Sequence, residues 1–245
     1  MAAHFNRERS TLSMSIRPDK VLIVAEDASL YFNLRKTLED LEFDCGEAAS
    51  GDAALIRLRM VDYDAVLLDI RGSSVGWIEA CRQIRGIYPR LPVLVLGDCD
   101  CVDNKVDALE AGADDYISKP FSAREIIARL RSAIRRFRTP VVGTNERFVV
   151  GEITLDPAKR RVEKSGSQVL LTPLEFRTLQ TLMEQAGRPV SHTALLATLW
   201  GKESRQHRYH LRVIVGVLRK KLEDDPSHPT YLITHSCFGY CFRDR

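Results

Sequence analysis

The chain has 245 residues, 44% hydrophobic and 28% charged, with a formal net charge of +3. That length allows two domains of ordinary size, each with its own core. No apolar run approaches the roughly 20 residues of a membrane span, which excludes a membrane-crossing helix.

The net charge hides an asymmetry. Residues 141–245 hold 16 Lys/Arg against 11 Asp/Glu, with five of the six histidines, whereas residues 1–140 hold 20 against 22. A mildly acidic front half before a basic back half suggests a regulatory module ahead of a nucleic-acid module. Residues 1–18 lack the apolar core of a secretory signal and read as a disordered extension, with Met14 an alternative start. A cytoplasmic protein with no membrane partner is expected. The six cysteines then imply no disulfides. Cys45 and Cys81 sit in apolar-periodic surroundings as small core residues. Cys99/Cys101 and Cys237/Cys241, the latter near His235, match no standard zinc spacing.

The front half alternates strands and helices. Residues 20–25 (KVLIVA) form an apolar run of strand length ending at Glu26-Asp27. Leu30, Leu34, Leu38 and Leu41 then mark one helix face. A strand around residues 43–48 has a weaker pattern. Residues 64–68 (DAVLL) end at Asp69, 92–96 (PVLVL) end at Gly97-Asp98, and 114–117 (DDYI) end at Ser118-Lys119-Pro120. Continuous apolar strands separated by helical periods predict a parallel sheet covered on both faces.

In such a sheet, sites form beyond the carboxyl ends of the strands, where Glu26, Asp27, Asp69 and Lys119 would converge. Clustered carboxylates bind Mg²⁺ through oxygen, the cation offsets the charge of an incoming phosphoryl group, and a lysine neutralises its oxygens. A carboxylate accepting phosphate needs such partners. The bland alternative is polar capping of strand ends. A phosphohydrolase also uses a strand-end Asp, but it needs a second acid two residues on, and that position is Arg71. No enzymatic activity is therefore expected.

Residues 139–146 read as a linker, with Thr139-Pro140 and Gly143-Thr144-Asn145 as its turn signals. Short β-like runs follow at 153–155, 161–163 and 169–171, with a turn at 165–167. Thr172-Pro173-Leu174-Glu175 is a capping-box pattern with proline at the first helical position. Ser191 can cap a second helix that runs through Leu195, Leu196, Leu199 and Trp200 to Gly201. From Arg205 a third helix carries six Lys or Arg before its first acid, Glu223. Leu211, Val215, Leu218 and Leu222 share one face; Arg208, Arg212 and Arg219 share the other. A solvated surface helix usually mixes both charges. This helix suits DNA, because phosphates supply sequence-independent affinity for Lys and Arg. Residues 231–234 and 240–242 flank Gly239 as a terminal hairpin or wing.

With these segments in place, the chain resembles a two-component response regulator of the OmpR/PhoB winged-helix type, in the KdpE-like branch. The motifs that carry it are GADDYISKPF from Gly112, LTPLEF from Leu171, and the helix from Leu211 to Glu223 with Asp225-Pro226 beyond. The resemblance implies an α/β flavodoxin-like receiver domain at 19–138, a doubly wound parallel five-stranded sheet. It implies a winged helix-turn-helix DNA-binding domain at 147–243. It makes Asp69 the phosphoacceptor, Lys119 its lysine and Tyr116 an aromatic switch; the strand-end reading above puts Mg²⁺ on Glu26, Asp27 and Asp69. The resemblance places Lys105, Asp115, Glu125 and Arg129 in a homodimer interface. DNA contacts are expected from Arg208, Tyr209, Arg212, Gly216, Arg219 and Lys220, with His235 and Ser236 in the wing. Double-stranded DNA, a sensor histidine kinase and RNA polymerase (through residues 201–206) are the implied partners. Departures concentrate in the pocket: the family's first strand-end acid falls on Ala25, its switch hydroxyl on Gly97, and its Pro and Asp-Gly on Ser73 and Gly76-Trp77. Together they predict an atypical receiver, weakly dependent on phosphorylation or independent of it. The alternative is a fully phosphorylation-switched regulator with Asp27 as replacement ligand.

Overall fold

The computed structural model describes residues 17–70, 76–98, 102–138, 146–201 and 205–244. Arg71, Ser73, Cys99, Cys101, residues 1–16, the linker 139–145 and residues 202–204 of the 201–206 segment lie outside that set.

The front half is β1 (Asp19–Val24), α1 (Ala28–Glu39), β2 (Phe43–Ala48), α2 (Gly51–Met60), β3 (Ala65–Ile70), α3 (Gly76–Ile87), β4 (Val93–Gly97), α4 (Val102–Glu110), β5 (Asp115–Ser118) and α5 (Ala123–Arg138). All five strands pair in parallel in the order β2-β1-β3-β4-β5. Strands β1, β3 and β4 read as apolar runs because both faces of the sheet are covered. Val21 and Ile23 pack with α1 and α5 through Leu34, Leu38, Ile126 and Leu130. Leu22 and Val24 pack with α2, α3 and α4 through Leu58, Cys81, Ile84 and Ala108. The order reverses between β1 and β3, and the crevice beyond their carboxyl ends is where such folds place their site.

Two details differ from the sequence reading. Helix α1 stops at Glu39, so Leu41 lies past its end and is 40% exposed, and Tyr31 takes the buried place instead. Cys81 is buried as expected, whereas Cys45 is only half-buried.

The back half is β6 (Phe148–Val150), β7 (Ile153–Asp156), β8 (Arg161–Lys164), β9 (Ser167–Val169), α6 (Pro173–Met183), β10 (Val190–Ser191), α7 (His192–Trp200), α8 (Arg205–Leu222), β11 (Leu232–His235) and β12 (Gly239–Phe242). Strands β6 to β9 form an antiparallel meander, and β10, β12 and β11 a second sheet. The β8–β9 turn takes φ 51° at Ser165 and 79° at Gly166. Positive φ at both positions defines the tight hairpin turn whose twist matches its strands, and it pairs Lys164 with Ser167. That register ends β9 at Val169, two residues short of the 169–171 run read from sequence. The capping box at Thr172 and Glu175 and the Ser191 cap both form. Leu211, Val215, Leu218 and Leu222 of α8 all enter a core shared with α6, α7 and the two sheets. Every residue of that core belongs to the back half, which therefore carries its own hydrophobic centre.

Candidate functional site: receiver pocket and DNA-reading helix

Asp69 stands near the end of β3 with its side chain 1% exposed, 2.5 Å from Lys119 Nζ. The same ammonium donates to Asp98 Oδ1 at 2.7 Å. Burial works against the charged lysine, but Asp69 and Asp98 outweigh it and raise its pKa. A cleft of about 400 Å³ opens beside Asp69, lined by Glu26, Ser50, Asp52, Trp77, Glu79 and Gln83 among others. Glu26 and Asp69 thus reach one cleft, as the strand-end reading requires. Asp27 does not line it; its Oδ1 caps α1 by accepting from Ser29 N at 2.8 Å.

Gly97 proves more informative than a missing hydroxyl. A Cβ built there would lie 1.8 Å from the Tyr116 hydroxyl oxygen. Tyr116 is fully buried, so its phenol occupies the space a Ser or Thr side chain would fill. The two readings, a switch aromatic and an absent hydroxyl residue, are one steric fact.

On the DNA-facing side, Arg208 and Arg212 are exposed on α8, and His235 and Ser236 are exposed at the tip of the β11–β12 hairpin. Arg219 is engaged within the chain. Its Nε and Nη2 donate to the Leu232 carbonyl at 3.0 and 2.7 Å, and Nη2 also reaches Thr234 Oγ1 at 2.7 Å. The helical wheel set Arg219 opposite the core but could not show that β11 passes there. Nothing lies within 4 Å of a Cβ built on Gly216, so packing within the chain does not demand glycine there. Gly216→Ala should raise the stability of the fold by about 0.5–1 kcal/mol through helix propensity. If α8 approaches DNA closely at this point, the same variant should lose about tenfold in DNA affinity, roughly 1.4 kcal/mol. Denaturant unfolding and fluorescence anisotropy would read the two opposite signs, and unchanged affinity would remove Gly216 from the interface.

Helix α8 does not face solvent along its whole length. Lys220 Nζ sits 2.6 Å from Glu110 of α4, and Tyr209 lies close enough to Asp103 of α4 for that carboxylate to help burial raise its pKa. Lys105 and Asp115 are 8% and 2% exposed, covered where α4, β5 and α5 meet α8. Asp115 and Glu125 both pair with Arg129 inside the chain, at 2.7 and 2.9 Å. Arg129 Nη1 also lies 2.9 Å from His207 Nε2 of α8. Burial alone would raise the Asp115 carboxyl, but the His207 imidazole and Arg129 guanidinium hold it below the ordinary carboxylate range. His210 is 1% exposed and burial pulls it down to about 4, so it is neutral. Neither histidine was singled out from sequence, because both sit in a run that reads as basic.

A strand-end Asp–Lys pair at the switch point of a doubly wound sheet, joined to a winged helix with a cationic third helix, defines a receiver coupled to a DNA-binding module. Comparison with known proteins agrees at both ends. Residues 21–131 match the response regulator receiver domain, and 166–242 match the C-terminal domain of transcriptional regulatory proteins. The KDP operon transcriptional regulatory protein KdpE of Escherichia coli K12 is 36% identical over 91% of this chain and 98% of its own length. The response regulator MprA of Mycobacterium tuberculosis H37Rv is 33% identical over 94% of this chain and 99% of its own. The fold of a RitR mutant superposes with a TM-score of 0.74 at 21% identity, covering 93% of this chain and all of that one. The chain belongs to the OmpR/PhoB-type response regulators. It is a DNA-binding transcriptional regulator with a receiver domain. Among the described residues no helix is long and apolar enough to cross a membrane.

Proposed function

We propose that this regulator rests in a closed state, with its DNA-reading helix on the receiver, and that its receiver responds weakly to phosphorylation. The observation that carries the first part is the burial of Asp115 and Lys105 under α8, with Tyr209 and Lys220 of the expected DNA set turned towards α4. The residues expected to join two protomers, Lys105, Asp115, Glu125 and Arg129, are then the residues that hold the closed chain. Closure and dimerisation compete for one surface, and opening supplies both the dimer face and the DNA-reading helix.

The second part rests on the pocket. Asp69 with Lys119 keeps a phosphoacceptor and its counter-charge. Glu26 and Asp69 would hold Mg²⁺, which binds through one or two carboxylates plus phosphate and waters and offsets the charge of the transferred group. Ala25 adds no ligand and Asp27 is committed to the α1 cap, so the donor set is lean. Tyr116 already fills the space over Gly97, which leaves phosphate without the hydroxyl link that would move it. Sensor histidine kinase, RNA polymerase and a second copy of the chain are the protein partners of this reading. The chain acts by binding and carries no catalytic role of its own.

Asp69→Ala should therefore lower DNA affinity by less than tenfold, under about 1.4 kcal/mol. The test is treatment with acetyl phosphate or a kinase, mass analysis of the Asp69 peptide, and DNA titration of both samples. A phosphorylated sample binding a hundredfold more tightly would overturn the weak response and favour Asp27 leaving its cap to serve the metal.

A further inference from the structure

The covered interface brings together three metal-ligating side chains that neither the phosphoacceptor pocket nor DNA reading uses. Asp115 leaves β5, while His207 and His210 stand one turn apart on α8, so two domains aim at one point. Their ligand atoms all lie within 4.8 Å of one another. His207 Nε2 is 3.8 Å from Asp115 Oδ2, and His210 Nε2 is 3.9 Å from Asp115 Oδ1. Ligand atoms around a tetrahedral zinc with bonds near 2.0–2.1 Å lie about 3.3 Å apart, so each imidazole stands roughly half an ångström beyond that spacing from its nearer Asp115 oxygen, and the carboxylate must turn to present one oxygen to both.

His210 gives a second, independent indication. It is 1% exposed, and neither ring nitrogen has a hydrogen-bond partner. Leaving a buried polar nitrogen unsatisfied is costly, and a bound cation removes that cost. The Trp200 indole stacks on both imidazoles, with ring centroids 4.9 Å from His207 and 6.4 Å from His210, and so fixes their planes.

We propose that Asp115, His207 and His210 form an interdomain site for a divalent transition metal of the zinc class. Two imidazoles and one carboxylate suit Zn²⁺ rather than the all-oxygen shells of Mg²⁺ or Ca²⁺, and water completes the fourth position. The place is now held by another cation. Arg129 Nη1 lies 2.7 Å from Asp115 Oδ2 and 2.9 Å from His207 Nε2. Its Nε and Nη2 already donate to Glu125 Oε1 at 3.1 and 2.9 Å, so the rigid guanidinium can swing away from Asp115 together with the partly exposed Glu125 and stay paired. Lys105 adds a second nearby positive charge, and the metal must compete with both. Because the ligands come from both domains, the metal binds the closed arrangement better than the open one. Linkage then requires metal and DNA to weaken each other's binding. The site rests on the closed arrangement proposed above, and its antagonism with DNA rests further on α8 having to leave the receiver to bind DNA.

The experiment uses the full chain carrying Asp69→Asn, which weakens the receiver's own carboxylate site. Zn²⁺ is titrated by calorimetry, and Co²⁺ by its visible absorption as a report of four-coordinate geometry. One equivalent should bind, at least tenfold more weakly in His207→Gln and in His210→Phe, and several-fold more tightly in Arg129→Gln. If the buried His210 variant fails to fold, His207→Gln alone carries the comparison. Absence of binding in both the Asp69→Asn protein and its Arg129→Gln derivative would overturn the site. So would binding that neither histidine variant changes, which would place the metal on a cysteine or surface group. Zn²⁺ should also lower DNA affinity, and not in His207→Gln. A metal that binds at these residues yet leaves DNA affinity unchanged supports the site and the closed arrangement, and overturns the competition between closure and DNA binding.

Discussion

The isolated back half, residues 146–245, should bind a short DNA duplex about ten to a hundred times more tightly than the full chain, a difference of roughly 1.4–2.8 kcal/mol. The fragment has its own core of α6, α7, α8 and both small sheets, so it should fold alone. In the full chain, binding requires α8 to leave α4, β5 and α5, and apparent affinity falls by the fraction of molecules that are open. The contacts to be broken set the scale. Lys220–Glu110 is exposed on both sides, 60% and 39%, and a pair of that kind is worth at most about 1 kcal/mol. The buried group of Asp115, Arg129, His207 and His210 supplies the rest. Affinity should be compared by anisotropy on a duplex too short for two copies, so that avidity does not mask the release. Equal affinities for fragment and full chain would mean that α8 is not held back.

The elements of both domains were legible because their signals are local and strong. Three of the five receiver strands, β1, β3 and β4, carry apolar runs of strand length, and the Thr172 and Ser191 caps announce α6 and α7. The short strands β6 and β10 were not legible, since three- and two-residue strands carry no periodicity and exist only through their partners. The same holds for the site. Asp69 and Lys119 were found because strand ends converge by topology. Asp27 also caps α1 through Oδ1, a role that charge alone does not announce. His207 and His210 were missed because their meaning lies in Asp115, some 90 residues earlier, across a domain interface. Arg85 shows the same limit. It donates to the Gly112 and Leu91 carbonyls and to Asp114, the last at 2.7 Å, yet in sequence it is one more cation on an amphipathic helix.

Glu223→Ala should be the most damaging substitution on the DNA-binding side, costing about 3–5 kcal/mol. From sequence this residue only ends the basic run. In the structure its carboxylate, 6% exposed, gathers the chain entering β11. Oε1 accepts from Tyr231 N at 3.0 Å and Leu232 N at 2.7 Å, and Oε2 from Thr230 N at 2.7 Å and Tyr231 N at 3.2 Å. One helical turn earlier, Arg219 holds the Leu232 carbonyl, so α8 and β11 are joined from both sides of the peptide. Alanine leaves three backbone donors without an acceptor, each worth about 1–3 kcal/mol when buried, reduced here because part of the loop can rehydrate. Glutamine keeps one acceptor oxygen but turns an NH₂ towards a backbone N–H, and should cost about half as much. For a domain near 100 residues each kcal/mol lowers the melting temperature by about 4–8 °C, so the alanine variant should melt at least about 12 °C below the parent fragment. DNA affinity should fall with it, because β11 and β12 carry the wing that presents His235 and Ser236. A loss below about 1 kcal/mol in urea unfolding would show that the wing is placed by its own packing and not by this carboxylate.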